Sequence, residues 1–279
     1  MSQVDIVRLR QWVGRESLVD DTLSVRQAQL MAATLGLPRE ALVAGQPLPP
    51  LWHWLYFLEG LPPAELGRDG HPARGGFLPP VPLANRMWAG GHLRFEADLP
   101  LGATVQKRSR IEAVEHKQGR SGELVFVTVR HDVLLDGCVA LSETHDIVYK
   151  DPGPRGPAVL PPVMPVPTHS ERFAPNSTLL FRYSALTFNG HRIHYDVDYC
   201  RDVEGYANLV VHGPLNATLL AAHAQRVAGQ PLKDFRYRGL EPSVVGQELI
   251  LHAADSESGL LVWVARPDGT VSMRADASF

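Results

Sequence analysis

Cysteine is scarce. The 279 residues hold only Cys138 and Cys200, neither in a CxxC pair, so no disulfide framework is expected. A charge excess is missing too: 27 Lys and Arg against 30 Asp and Glu leave a formal net charge of −3. No block of like charge stands out, which argues against nucleic acid as a partner. No run approaches the roughly 20 apolar residues of a membrane span. Residues 1–17 scatter their charges and contain no apolar core of signal-peptide length. A reducing, cytoplasmic setting without a membrane partner is the resulting expectation. What the chain does have is 44 % apolar and 20 % charged residues, enough for a packed core and for two domains of ordinary size.

The chain is written twice. Leu93-Arg94-Phe95 parallels Phe235-Arg236-Tyr237, and Gly102 parallels Gly246. Ser121-Gly122 parallels Ser258-Gly259, Leu124–Val127 parallels Leu261–Val264, and Asp136-Gly137 parallels Asp268-Gly269. The Ser-Gly and Asp-Gly pairs are hairpin chemistry, since glycine takes positive φ without a Cβ penalty. Val125, Val127 and Val129 alternate with Phe126, Thr128 and Arg130, the period of a strand with one apolar face. Each half therefore reads as an antiparallel meander packed on a preceding helix, Pro50–Leu58 in the first half and Pro214–Val227 in the second. Earlier short helices are expected at Val25–Leu35 and Tyr199–Asn208. The fold class is α+β, a double hotdog in which a curved sheet wraps a central helix twice. Residues 1–150 form the first hotdog and 171–279 the second, with the proline-rich stretch 151–170 as an extended linker. An insertion at 61–82 is expected as a surface loop, or as a lid or pocket wall.

The candidate chemistry sits in the second half. Asn189-Gly-His-Arg-Ile-His194 suits neither helix nor strand and reads as a turn delivering side chains to a pocket, with Ile193 as its anchor. His194 is a candidate general base, because imidazole titrates near neutrality. Asp196 and Asp198 are expected to cap the helix beginning near Tyr199. In Val210-Val-His-Gly-Pro214, Gly213 permits close approach to the backbone and Pro214 suits a first helical turn. The free N–H groups at such a helix start would stabilise charge developing on a carbonyl oxygen. Trp52, Trp54, Tyr56 and Phe57 read as core at helical spacing. Among twelve histidines no metal cluster stands out.

These motifs carry a resemblance. Asn189 to His194 followed by His212-Gly213 resembles the MaoC-type hydratase/dehydratase family, hotdog enzymes acting on enoyl thioesters. Asparagine stands at Asn189 where that family's loop has aspartate, and His191 and Arg192 stand where it has asparagine and proline. With Arg86-Met-Trp-Ala-Gly-Gly91 added, the pattern is similar to the double-hotdog branch containing mesaconyl-C4-CoA (3-methylfumaryl-CoA) and itaconyl-CoA hydratases, with an FAS1-like dehydratase N-terminal half. The resemblance implies water addition to a short 2-enoyl-CoA, by His194 as base, Gly213 N–H at the thioester oxygen and Asn189 orienting the water through its carbonyl. A second role for Asn189 is binding a substrate oxygen through its NH₂. Arg86, Arg182 and Arg192 are candidates for a distal carboxylate, and Trp88 and His212 for further substrate contacts. Coenzyme A arrives as part of the acyl-CoA substrate, so neither a separate cofactor nor a metal is implied. The first half is expected to be a degenerate hotdog that shapes the acyl pocket, and a homodimer is possible. Competing readings are a fatty-acid-type 3-hydroxyacyl-thioester dehydratase, a hotdog thioesterase and a non-catalytic acyl-CoA-binding subunit.

Overall fold

The computed structural model of the chain describes residues 4–119, 122–151 and 162–279. Ser121 and residues 152–161, half of the proline-rich stretch, lie outside the described residues. Ten strands build one antiparallel sheet: β1 (Glu16–Thr22), β2 (Asn85–Phe95), β3 (Thr104–Gly119), β4 (Gly122–Leu135), β5 (Cys138–Lys150), β6 (His169–Phe173), β7 (Asp234–Gly239), β8 (Leu249–Ser256), β9 (Gly259–Ala265) and β10 (Val271–Ser278). Their spatial order is β1-β3-β4-β5-β2-β7-β10-β9-β8-β6. Read from either edge to the centre, both halves follow the same path, so the written repeat is a folded repeat. Its hairpins turn where the glycines were found, with positive φ at Gly122, Gly137, Gly259 and Gly269.

The halves join through β2 and β7. Leu93 lies directly opposite Phe235, its own counterpart in the repeat, so the internal two-fold relation passes between these two residues. Glycine is required beside it. A Cβ on Gly91 would lie 2.5 Å from the Tyr237 hydroxyl oxygen and 2.7 Å from Thr144 O.

The central helix of the second half is α4 (Gly213–Ala228), which starts with proline in its first turn and stops at left-handed Gly229, φ 65°. It buries Leu215, Leu220, Ala221 and Ala224 against the sheet. The first half differs from expectation. Instead of a helix over Pro50–Leu58 there is a single 3₁₀ turn, Trp52–Leu55. Leu51 and Phe57 on either side adopt left-handed φ of 68° and 58°, and Pro49 and Pro50 lack the N–H groups that a longer helix would use.

The expected helix at Tyr199–Asn208 is a π-helical turn, Tyr199–Val203, halted before Gly205 at φ 72°. The true counterpart of α2 (Val25–Leu35) is α3 (Ser177–Leu186). Each follows its half's edge strand, and the two helices pack together. Asn176 caps α3 by accepting from Leu179 N at 2.9 Å. A short helix, α1 (Ile6–Leu9), precedes β1. Val125, Val127 and Val129 are buried as their alternation requires, but Val4, Leu9 of the short α1, Val81 and Leu83 cover them rather than a central helix over Pro50–Leu58. The last residues of the 151–170 stretch, His169 and Ser170, already belong to β6. Among the described residues, no helix is long and apolar enough to cross a membrane.

Candidate active site

Helix α3 ends at Thr187, and Phe188 turns the chain through a left-handed φ of 49°. Asn189 N then donates to Ser184 O at 2.8 Å. The Asn189 carbonyl oxygen Oδ1 accepts from His191 N at 2.9 Å, a side-chain turn that leaves the NH₂ as the free end of the amide. The carbonyl expected to orient water thus also holds the loop with one of its two lone pairs, while the NH₂ offers a substrate two donors.

Ile193 is buried as anchor, and His194 closes a 3₁₀ turn. His194 Nδ1 donates to Val210 O at 2.7 Å, which fixes the tautomer and leaves Nε2 as the basic nitrogen. Its ring lies on that of His212, with centroids 3.6 Å apart and planes at 18°. His212 is fully buried and bonds through Nε2 to Ser184 Oγ at 2.8 Å. It backs His194 and does not line the cavity, where the sequence suggested a substrate contact. Burial pulls His194 down to about 4 and holds His212 well below its ordinary value. Both rings are neutral at neutral pH, as a proton acceptor must be.

The next residue, Gly213, opens α4, where the first amides have no partner within the helix. A Cβ there would meet nothing within 4 Å. Imidazole, amide and helix start thus converge. Asp196 caps the following turn by accepting from Tyr199 N at 3.0 Å, whereas Asp198 makes no capping bond.

Beside this cluster lies a cavity of about 730 Å³. Ser184, Asn189, Gly190, Tyr195 and Pro214 line it from the second half; Trp54, Tyr56, Phe57 and Trp88 form apolar wall from the first. The brevity of the Trp52–Leu55 turn is what leaves the space, since the second half fills the same position with α4. Trp52, Tyr56 and Phe57 belong to the buried core as expected and Trp54 packs against it, while Trp54, Tyr56 and Phe57 also present atoms to the cavity. Trp88 lines the cavity as anticipated, its ring 4.9 Å from Trp54. His194 and Gly213 are adjacent to the wall without lining the empty cavity.

The first half contributes charged and titratable groups to the lining, among them His53, Lys107, His131, Glu143 and His145. Strand register sets Ser109, His131 and Glu143 in one row across β3, β4 and β5. Glu143 is 3 % exposed and accepts from His53 Nε2 at 2.9 Å, from Trp54 Nε1 at 3.1 Å and from His145 Nε2. Burial opposes its charge, yet His145 and His53 hold its carboxyl well below the ordinary value. Ser109 Oγ and His131 Nδ1 are 2.7 Å apart. Lys107 also lines the cavity, its ammonium 5.0 Å from the Phe57 ring centroid, and burial pulls its pKa below the ordinary value.

The insertion at 61–82 forms wall, through Leu61, Leu66, Gly70, His71 and Pro72. It brings Asp69 and His71 beside His191, with one ligand-type atom from each within 4.8 Å of the others. Such a trio suits a metal ion in chemistry, and no spacing in the sequence joins residues 69 and 191.

The three arginines fare differently. Arg192 is spent on Asp196, at 3.0 Å and 2.7 Å, and on the Tyr199 ring at 4.2 Å. Arg182 is exposed on α3. Neither lines the cavity. Arg86 stands at the start of β2, where its charge helps hold Asp69 ionised, and it too is absent from the lining. Sequence reasoning missed His53, Lys107, Glu143, His145, Asp69, His71 and Ser184. For Glu143 and His145 a signal existed, because alternation with Leu141, Ile147 and Tyr149 puts both on the inward face of β5.

With this geometry in hand, comparison with known proteins decides the family. Residues 51–245 match the hydroxyacyl-thioester dehydratase type 2 family. The chain belongs to that family. It is 42 % identical over 267 residues, 95 % of each chain, to a mesaconyl-C(4)-CoA hydratase of Chloroflexus aurantiacus. A mitochondrial hydroxyacyl-thioester dehydratase type 2 of Schizosaccharomyces pombe is 30 % identical over 78 % of this chain and 81 % of its own. A crystal structure of a MaoC-like dehydratase from Phytophthora capsici superposes over 99 % of this chain and 98 % of its own, with a TM-score of 0.74 at 14 % identity. The fold is the double hotdog of these dehydratases.

Proposed function

We propose that the protein is a hydro-lyase that reversibly adds water to the double bond of a short 2-enoyl-CoA carrying a distal carboxylate, of the mesaconyl-C4-CoA type, giving the 3-hydroxyacyl thioester. The observation that carries this reading is one cavity lined both by Ser184, Asn189 and Pro214, the neighbours of the His194–Gly213 cluster, and by Lys107. The thioester oxygen would rest at the start of α4, where Gly213 N–H stabilises the enolate. His194 Nε2 takes a proton from water as its oxygen bonds to the β-carbon. The Asn189 NH₂ holds a substrate oxygen. Coenzyme A enters as the carrier and no further cofactor is invoked.

Support for the distal carboxylate comes from Lys107. Its ammonium enters no direct ion pair among the described residues, although Glu143, Glu59 and Asp21 lie near enough to favour its charge, and Glu143 already accepts from His53 and His145. An anionic acyl terminus would supply a direct partner. The resemblance to a mesaconyl-C(4)-CoA hydratase points the same way.

The test is a panel of enoyl-CoA substrates with and without a distal carboxylate, followed by loss of enoyl absorbance, an added mass of water and free-thiol assay. Hydration without thiol release is expected, fastest on the carboxylated members. Thiol release in place of hydration would make the protein a thioesterase. His194→Ala with normal folding and near-normal turnover would remove the assigned base.

A further inference from the structure

The loop at 61–82 is fastened to the Asn189–His194 loop at backbone level. Gly70, at φ +85°, comes so close that a Cβ on it would lie 2.0 Å from Gly190 O. Arg192 N donates to Asp69 O at 2.9 Å, and Arg192 Nη1 to Arg68 O at 3.3 Å. This junction ties a segment of the first half to the loop that carries His194. It also sets the His71 ring 4.2 Å from that of His191, which in turn is 5.4 Å from His194. Unlike His194, His71 lines the cavity itself.

Asp69 governs how His71 is presented. One carboxylate oxygen accepts from His71 N at 3.1 Å and the other meets His71 Nδ1 at 3.3 Å. The bonds from His71 and the charge of Arg86 keep Asp69 ionised against the cost of burial. Burial in turn keeps the His71 ring neutral. With its proton on Nδ1, facing Asp69, His71 has its lone pair on Nε2, the nitrogen left to meet a ligand.

A water attacking an enoyl thioester has two O–H bonds, and holding it in line takes two acceptors. His194 supplies one. Asn189 cannot supply the other as a base, being an amide whose oxygen is engaged by His191 N–H. We propose that His71, oriented by Asp69, is the second catalytic acceptor and grips the attacking water opposite His194, doing from the first-half loop what a carboxylate at position 189 would do. The proposal rests on the hydratase reading. During addition, one O–H bond breaks and its proton passes to His194 Nε2, while the water oxygen bonds to the β-carbon. The double-bond pair moves onto the thioester oxygen as an enolate. That pair then takes the proton from His194 at the α-carbon. The hydrogen held by His71 stays on the product hydroxyl.

The experiment compares wild type, His71→Phe, Asp69→Asn and the double variant His71→Phe/Asn189→Asp on the best enoyl-CoA of the panel, with folding checked by circular dichroism and melting. His71→Phe keeps a ring against His191 but offers no acceptor. Its kcat is expected to fall about 100-fold or more with KM little changed, and that of Asp69→Asn about tenfold or more. Asn189→Asp, by restoring a carboxylate, is expected to raise the His71→Phe rate about tenfold. A folded His71→Phe protein with wild-type kcat overturns the proposal, as does failure of Asn189→Asp to raise its rate. Should His71→Phe not fold, an unchanged kcat in Asp69→Asn overturns it. Activity abolished by a chelator and restored by Zn²⁺ also overturns it, because Asp69, His71 and His191 would then be holding a metal. Absence of wild-type turnover on every member of the panel sinks the hydratase reading itself, and the proposal with it.

Discussion

The imidazole of His194 lies on that of His212 with ring centroids 3.6 Å apart, and His212 is held by Ser184 Oγ at 2.8 Å. The base of the site is therefore positioned from behind by a fully buried ring, itself positioned by α3. Replacing His212 by phenylalanine keeps the stack but strands the Ser184 hydroxyl, a loss of about 1–3 kcal/mol. Adding Ser184→Ala removes the stranded hydroxyl. The double variant is expected to recover most of the stability lost by His212→Phe, which chemical denaturation of the four corners of the cycle would measure. His212→Ala removes the support altogether, and kcat is expected to fall at least about tenfold as His194 loses its fixed orientation.

Acid should affect activity and stability in separate ranges. His194 is neutral, and so able to accept a proton, at any pH above about 4. The acid limb of kcat/KM contributed by this group is expected near pH 4 rather than near its ordinary value of 6.5. Stability declines earlier. In the unfolded chain the ring takes up its proton near pH 6.5, while the folded ring resists until about 4, and His191 until about 2. Across that window the unfolded state binds more protons, so the free energy of unfolding falls as pH drops below 6.5, by about 1.4 kcal/mol per pH unit for each such histidine. Denaturant midpoints between pH 7 and pH 5 would show the decline, and a flat profile would contradict the buried neutral rings.

Lys107→Met should act on substrate choice. It removes the charge and retains much of the apolar stem, so the Phe57 contact is largely kept. KM is expected to rise about tenfold or more for an enoyl-CoA with a distal carboxylate and to change little for crotonyl-CoA. Arg182→Ala and Arg192→Ala should not discriminate between the two, because neither side chain lines the cavity.

What was legible in the sequence followed from local chemistry. The Asp-Gly and Ser-Gly turns, the alternation of Val125, Val127 and Val129, and the Gly213-Pro214 helix start each declare themselves within a few residues. Together they carried the duplicated sheet and the second half's part of the site. The polar lining from the first half escaped because Glu143, Lys107 and His53 meet only through strand register and a turn, and their meaning depends on the helix that the first half lacks. Asp69 and His71 escaped for a similar reason. Nothing near position 70 indicates that it will lock against Gly190. Arg192 was misplaced because proximity to a motif in sequence says nothing about direction, and Asp196, four residues on, claims it first.

Two glycine substitutions separate architecture from chemistry. Gly91→Ala would drive a Cβ to 2.5 Å from the Tyr237 hydroxyl oxygen and 2.7 Å from Thr144 O. Thr144 O is backbone of β5 and cannot withdraw, so β2 must shift against β5, and the Tyr237 side chain on β7 must give way at the seam of the two halves. Overpacking of this kind costs about 1–3 kcal/mol. Because the Tyr237 ring sits 5.9 Å from Trp88 and 6.2 Å from Trp54, the displacement reaches the cavity wall. A lower Tm together with a raised KM is expected. Gly213→Ala adds the same methyl group where nothing lies within 4 Å, at a first-turn position that alanine tolerates. Its Tm should match wild type. If the thioester rests at this helix start, the methyl group occupies the substrate's place and kcat/KM falls about tenfold or more. A Gly213→Ala protein with both Tm and kcat/KM unchanged would move the thioester away from α4, whereas loss of activity at full stability is the signature of a group that serves the substrate rather than the fold.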